Sequence, residues 1–159
     1  MNTIDFAISM EEDGRRYYLE QAERNKDNEL RTVFLLLADS EKDHAELLRQ
    51  YKNREDISLQ GNFVGPELKS VFHGMKNFHK EDSDRQKEVY RIACEQEEKS
   101  IQLYKELEAQ AKDEFDRELF RYLILQEEGH LALFEELVRL VTRPEEWVES
   151  AEFGLREEY

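Results

Sequence analysis

Displaced by 86 residues, the sequence repeats four chemically loaded positions: Glu11 falls on Glu97, Tyr18 on Tyr104, Glu41 on Glu127 and His44 on His130. Phe34, Leu37 and Leu47 land on Phe120, Leu123 and Leu133 under the same shift. Around these positions apolar residues recur three and four apart, the period of a helix with one buried face. A chain with this pattern is constrained to two similar helical pairs, each carrying the same acids and histidine at the same height.

Four helical stretches fit the pattern. The first runs from about Ile4 to Asn25 behind Thr3 as N-cap, with Ile4, Ala7, Ile8, Glu11, Tyr18 and Ala22 on one stripe. The second follows the polar break at Asn25–Asn28 and aligns Leu30, Val33, Phe34, Leu37, Glu41, His44, Ala45, Leu48 and Tyr51. The third opens at Ser83, where Ser83 and Gln86 have the spacing of a capping box, and carries Val89, Tyr90, Ala93, Cys94, Glu97, Ile101 and Tyr104. The fourth follows the break at Lys112-Asp113 and aligns Phe120, Leu123, Ile124, Glu127, His130, Leu131, Phe134, Leu137, Val138 and Val141. Residues 55–83 form a long crossover, in which Gly65-Pro66 and the spacing of Leu68, Val71, Phe72, Met75 and Phe78 predict one short helix. The bundle therefore occupies residues 1–142, and 143–159 is a tail with Pro144, Trp147 and Phe153, expected to pack on the bundle or on a partner subunit.

Composition narrows the chemistry. At 159 residues the chain suits one domain, and 38 acidic against 23 basic residues (net −15) exclude a basic nucleic-acid surface. The longest apolar run, Val33–Ala38, is far short of the ~20 residues of a membrane span. No charged-then-apolar leader opens the sequence, which gives a cytoplasmic expectation. A lone cysteine, Cys94, excludes an internal disulfide framework, a four-cysteine zinc knot and a thiolate-ligated iron centre.

Glu11, Glu41, Glu97 and Glu127 lie on apolar stripes, where an ionised carboxylate is costly unless paired or bound to metal. His44 and His130 each follow a glutamate by three residues, so each Glu-x-x-His pair shares a helix face. The midpoints of Glu11/Glu41 and Glu97/Glu127, near residues 26 and 112, coincide with the two polar breaks. Both acids of each pair then lie about 20 Å from their turn, at one level. Four carboxylates are neutralised by two divalent cations, with two neutral imidazoles as nitrogen ligands. Oxygen and nitrogen donors without sulfur suit iron, manganese or zinc. This ligand set, one glutamate from each of two helices and Glu-x-x-His from the other two, is that of di-iron carboxylate bundles.

The segments Glu11–Tyr18, Glu41–His44, Glu97–Tyr104 and Glu127–His130 together resemble the ferritin-like superfamily, and within it the rubrerythrin-related branch. The resemblance implies an all-α, ferritin-like four-helix bundle of two hairpins joined by a long crossover. It implies that Glu41 and Glu127 bridge two irons, with Glu11 and Glu97 as terminal carboxylates. His44 and His130 each complete one iron, and Tyr18 and Tyr104 hydrogen-bond to ligand carboxylates. The implied function is a di-iron oxidoreductase that reduces hydrogen peroxide or O2. Alternatives are a ferroxidase feeding iron storage, or a non-enzymatic scaffold stapled by metal. Rubrerythrins proper end in a four-cysteine rubredoxin-like domain, so with one cysteine here the electron donor is expected to be a separate protein. They also carry a further carboxylate where this chain has Ser100. Lys42 stands where bacterioferritins place a haem-binding methionine, which argues against haem. A homodimer or other small homo-oligomer is expected.

Three features stay open between bland and sharper accounts. Cys94 reads as a small core residue rather than a reactive thiol. His73 and His79, on the crossover, read as surface histidines. Gly14 and Gly129 sit inside helices beside candidate ligands, where glycine costs about 1 kcal/mol against alanine. Close helix packing and a cleared pocket for an oxidant both account for them.

Overall fold

The structure, a computed structural model, describes residues 2–55 and 83–157, with backbone alone at Ser83 and from 143 onward. The crossover helix expected around Leu68–Phe78, with His73 and His79, lies outside the described residues. Four helices make up the rest: α1 (Thr3–Arg24), α2 (Leu30–Lys52), α3 (Ser83–Gln110) and α4 (Glu114–Glu157). The turns at residues 25–29 and 111–113 fall where the polar breaks predicted them.

Helix starts differ from expectation in detail. The cap of α1 is Asn2, whose Oδ1 accepts from the Asp5 backbone N–H at 2.8 Å, and Thr3 is already helical. Asparagine and threonine both cap well, so sequence alone ranks them poorly. Asn28 Oδ1 accepts from Leu30 N–H at 2.9 Å ahead of α2, and Asp113 Oδ1 accepts from Asp116 N–H at 2.8 Å ahead of α4. Gln86 Oε1 is buried without a hydrogen-bond partner, so the Gln86 arm of the expected capping box does not form. At the other end of the chain, α4 continues helical through Pro144 to Glu157, past the boundary at 142. One proline removes one ladder hydrogen bond, which did not stop the helix here. Side-chain packing of the 143–159 tail lies outside the described residues.

The helices pair as α1 with α2 and α3 with α4. Each buries its apolar stripe in two clusters at different heights. One holds Tyr18, Ala22, Val33, Phe34, Leu37, Ala38, Tyr90, Ala93, Phe134 and Leu137. The other holds Ala7, Leu48, Ile101, Tyr104, Leu119, Phe120, Leu123 and Ile124. Chain direction follows from this division. Helices α1 and α4 run from the second cluster towards the first, and α2 and α3 run the opposite way. The end of α2 and the start of α3 therefore lie at opposite ends of the bundle, which calls for a long connection. Among the described residues no helix is long and apolar enough to cross a membrane.

Helix α2 ends in a paired-bond motif. Glu55 N–H donates to Gln50 O at 2.9 Å and Arg54 N–H to Tyr51 O at 3.1 Å. Arg54 occupies the left-handed region there, with φ 57°, where a side chain is disfavoured and glycine is the usual occupant. Replacing Arg54 by glycine should therefore stabilise the protein by about 1 kcal/mol in urea unfolding, with an unchanged denaturant slope.

Candidate metal centre

Between the two apolar clusters lies a polar layer. Ala7 and Tyr18 of α1 fall in opposite clusters, and Glu11 sits between them in sequence and in height. The same holds for Glu41 and His44 of α2, Glu97 of α3, and Glu127 and His130 of α4. All six residues are buried, none more than 3% exposed. The expected convergence is thus present: every one of the six faces the bundle axis, at one level.

Their donor atoms form two overlapping groups. Glu11, Glu41, His44 and Glu127 bring one ligand atom each within 4.8 Å of one another, and so do Glu41, Glu97, Glu127 and His130. Glu41 and Glu127 belong to both groups. His44 Nδ1 lies 3.0 Å from Glu127 Oε1 and 3.4 Å from Glu11 Oε2. His130 Nδ1 lies 3.2 Å from Glu41 Oε1 and 3.5 Å from both Glu97 Oε1 and Glu127 Oε1. The two rings stack with centroids 5.9 Å apart. Both imidazoles therefore turn Nδ1 towards the acids.

The tyrosines reach across the pseudo-two-fold. Tyr104 Oη donates to Glu11 Oε1 at 2.6 Å, and Tyr18 Oη donates to Glu97 Oε1. Each phenol thus anchors a carboxylate of the other hairpin. Burial, reinforced by the neighbouring acids, pushes both hydroxyls well above their usual range, so they remain donors. Tyr18 also packs against Phe34 and Phe134, with centroids 6.2 and 5.7 Å away, which fixes its ring.

Two further residues escaped the sequence reading. His44 Nε2 lies 3.5 Å from Ser40 Oγ and 3.4 Å from Gln126 Oε1, both buried. A proton on Nε2 shared with these oxygens leaves Nδ1 free as a ligand. The signal was available, since Ser40 and Gln126 are themselves 86 residues apart and occupy matching places in the repeat. Cys94 packs against the first cluster, and burial pushes its thiol up to about 11, in keeping with a core residue.

The donor set suits a cation. Glu11 Oε2, Glu97 Oε2, both oxygens of Glu127 and His44 Nδ1 are buried without a hydrogen-bond partner. Buried polar atoms are normally satisfied, and each orphan costs about 1–3 kcal/mol. Oxygen and nitrogen donors crowded together in a buried layer are what positive ions relieve. Oxygen and nitrogen donors without sulfur fit iron, manganese or zinc.

The rubrerythrin family profile matches residues 2–138, which include all four helical segments of the site. The chain belongs to the rubrerythrin family. That family usually binds iron, and the buried glutamates and histidines of this member form a cluster able to hold metal. No curated protein and no solved structure gives a significant match to the chain.

In the metal-free protein the acids share out their protons. Burial, then the charges of Glu11, Glu127 and Glu97, raise Glu41 well above its usual range. Burial, with Glu11 and Glu97, does the same to Glu127. Burial also opposes ionisation of Glu11, but His44 and bonds from Glu41 and Tyr104 outweigh it and hold Glu11 low. His44 is disfavoured as a cation by burial, yet Glu11 and Glu127 raise it well above its usual value. Above pH 4.5 the folded chain thus retains protons on Glu41 and Glu127, and above pH 6.5 one on His44, that the unfolded chain gives up. More protons in the folded state mean stability that falls as pH rises. Glu11 acts in the opposite sense, but only as pH falls below 4.5. The melting temperature of the metal-free protein should therefore decrease from about pH 5 to about pH 8. Glu127→Gln should flatten that decline and raise the melting temperature at the alkaline end, as differential scanning calorimetry would show.

Proposed function

We propose that this rubrerythrin-family protein is a di-iron oxidoreductase that reduces hydrogen peroxide or O2 with electrons from a separate donor protein. The observation that carries this reading is the pair of overlapping ligand groups with Glu41 and Glu127 common to both. In it, Glu11 and His44 serve one ion, Glu97 and His130 the other, and Glu41 and Glu127 lie between the two. Manganese or zinc has donors suited to the same places, but only a redox-active metal supports the reaction. When bound, two ferrous ions supply the two electrons that, with two protons, convert one hydrogen peroxide into two waters.

The chain's own part is positioning and insulation. Tyr104 and Tyr18 hold Glu11 and Glu97 by single hydrogen bonds, which leaves the second oxygen of each carboxylate buried without a hydrogen-bond partner. Ser40 and Gln126 orient His44. The two apolar clusters seal the layer above and below, so the acids meet in a low-dielectric space where their attraction for cations is strong. Support by such neighbouring groups is worth about 10–100-fold in metal affinity.

Two measurements test the reading. Anaerobic loading with Fe2+ should give two ions per chain, and the loaded protein should be oxidised by hydrogen peroxide much faster than free Fe2+. A rate equal to that of the free ion rejects the oxidoreductase. Glu41→Ala should bring metal content well below two ions per chain, because Glu41 serves both places. Retention of two ions would reject the ligand assignment.

A further inference from the structure

Glycine inside a helix costs about 1 kcal/mol against alanine and normally has a reason. Gly14 and Gly129 both adopt ordinary helical conformations, and no glycine among the described residues has positive φ, so backbone conformation is not that reason. Their surroundings differ. A Cβ added at Gly129 would meet nothing within 4 Å, and the position is exposed, so neither close packing nor a cleared oxidant pocket accounts for it. A Cβ added at Gly14 would lie 3.2 Å from Glu41 Oε2, 3.5 Å from its Cδ and 3.6 Å from its Cγ. The missing side chain of Gly14 is the space in which the Glu41 carboxylate sits.

We propose that Gly14 is a positioning residue, which keeps open the place from which Glu41 reaches both metal ions. This rests on the two-ion reading above. Glu41 is confined from the other side as well, because its Oε1 lies 3.2 Å from His130 Nδ1. A contact of 3.2 Å requires the carboxylate to give by a few tenths of an ångström. A free carboxylate can do so by a small rotation. One held between His130 and two cations cannot, because coordination distances tolerate only about 0.2 Å. The constraint is also one-sided. The 86-residue shift places Ser100, which has a side chain, at the position matching Gly14. Room is thus left beside Glu41 by a glycine that has no counterpart in the other hairpin, and the two shared acids are not equivalent.

The test compares Gly14→Ala with Gly129→Ala and the unaltered chain, using Co2+ uptake followed by visible absorption and melting of the metal-free proteins. Both substitutions favour helix, so neither metal-free variant should melt below the unaltered protein. Gly129→Ala should bind two Co2+ per chain with unchanged affinity and spectrum. Gly14→Ala should bind at least one Co2+ about 10–100-fold more weakly, with an altered absorption band. Unchanged Co2+ affinity and spectrum in Gly14→Ala overturn the proposal. So does a metal-free Gly14→Ala protein that melts lower or does not fold, which would mark an ordinary packing position. Failure of the unaltered chain to take up two ions rejects the two-ion reading itself, and Gly14's role with it.

Discussion

Four carboxylates enclosed in one layer of a helical bundle repel one another and lose their hydration, and every other feature of this protein is arranged around that cost. Burial raises Glu41 and Glu127 so far that the metal-free fold keeps protons on them, while His44 becomes a cation in answer to Glu11 and Glu127. That is a makeshift solution, since Glu97 Oε2 and Glu127 Oε2 still lack partners. In the proposed function, two divalent cations would replace the retained protons and satisfy the orphaned lone pairs together. The layer is a poor way to build a stable core and a good way to hold metal, which is the expected signature of a site kept for function.

The apolar parts make that layer tolerable. Each helix passes from one cluster, through the polar level, into the other, so the acids are clamped between packed side chains. The connections across the pseudo-two-fold are reciprocal: Tyr104 of the second hairpin holds Glu11 of the first, and Tyr18 of the first holds Glu97 of the second. Neither hairpin has a complete centre alone. Both ligand groups contain residues from both hairpins, so hairpin docking and assembly of the centre are one event. The internal symmetry is nevertheless broken at Gly14 and Ser100 and at Ser40 and Gln126.

Much of this was legible in the residues because a helix converts spacing into direction. The three-and-four periodicity named the buried faces, the polar breaks named the turns, and equal distances from those turns placed Glu11 level with Glu41 and Glu97 level with Glu127. Less was legible at the helix ends. Thr3 and Asn2 are comparable caps, and the hydrogen bond that chose Asn2 depends on a backbone angle rather than on residue type. The Ser83/Gln86 spacing has the capping-box pattern, yet Gln86 Oε1 has no hydrogen-bond partner. Residues 143–159 read as a tail separate from the bundle, but the backbone of α4 runs on to Glu157.

By itself, the sequence determined that two matched helical pairs would turn the same acids and histidines inward at one height, because periodicity and chain length are local properties. Only the tertiary structure decided which side chain meets which across the bundle. That each tyrosine serves the opposite hairpin, that Gln126 faces His44 and that Gly14 makes room for Glu41 all depend on how two hairpins dock. Docking brings together residues about 80–90 apart in the chain, and those distances follow from packing in three dimensions, which no helical spacing encodes.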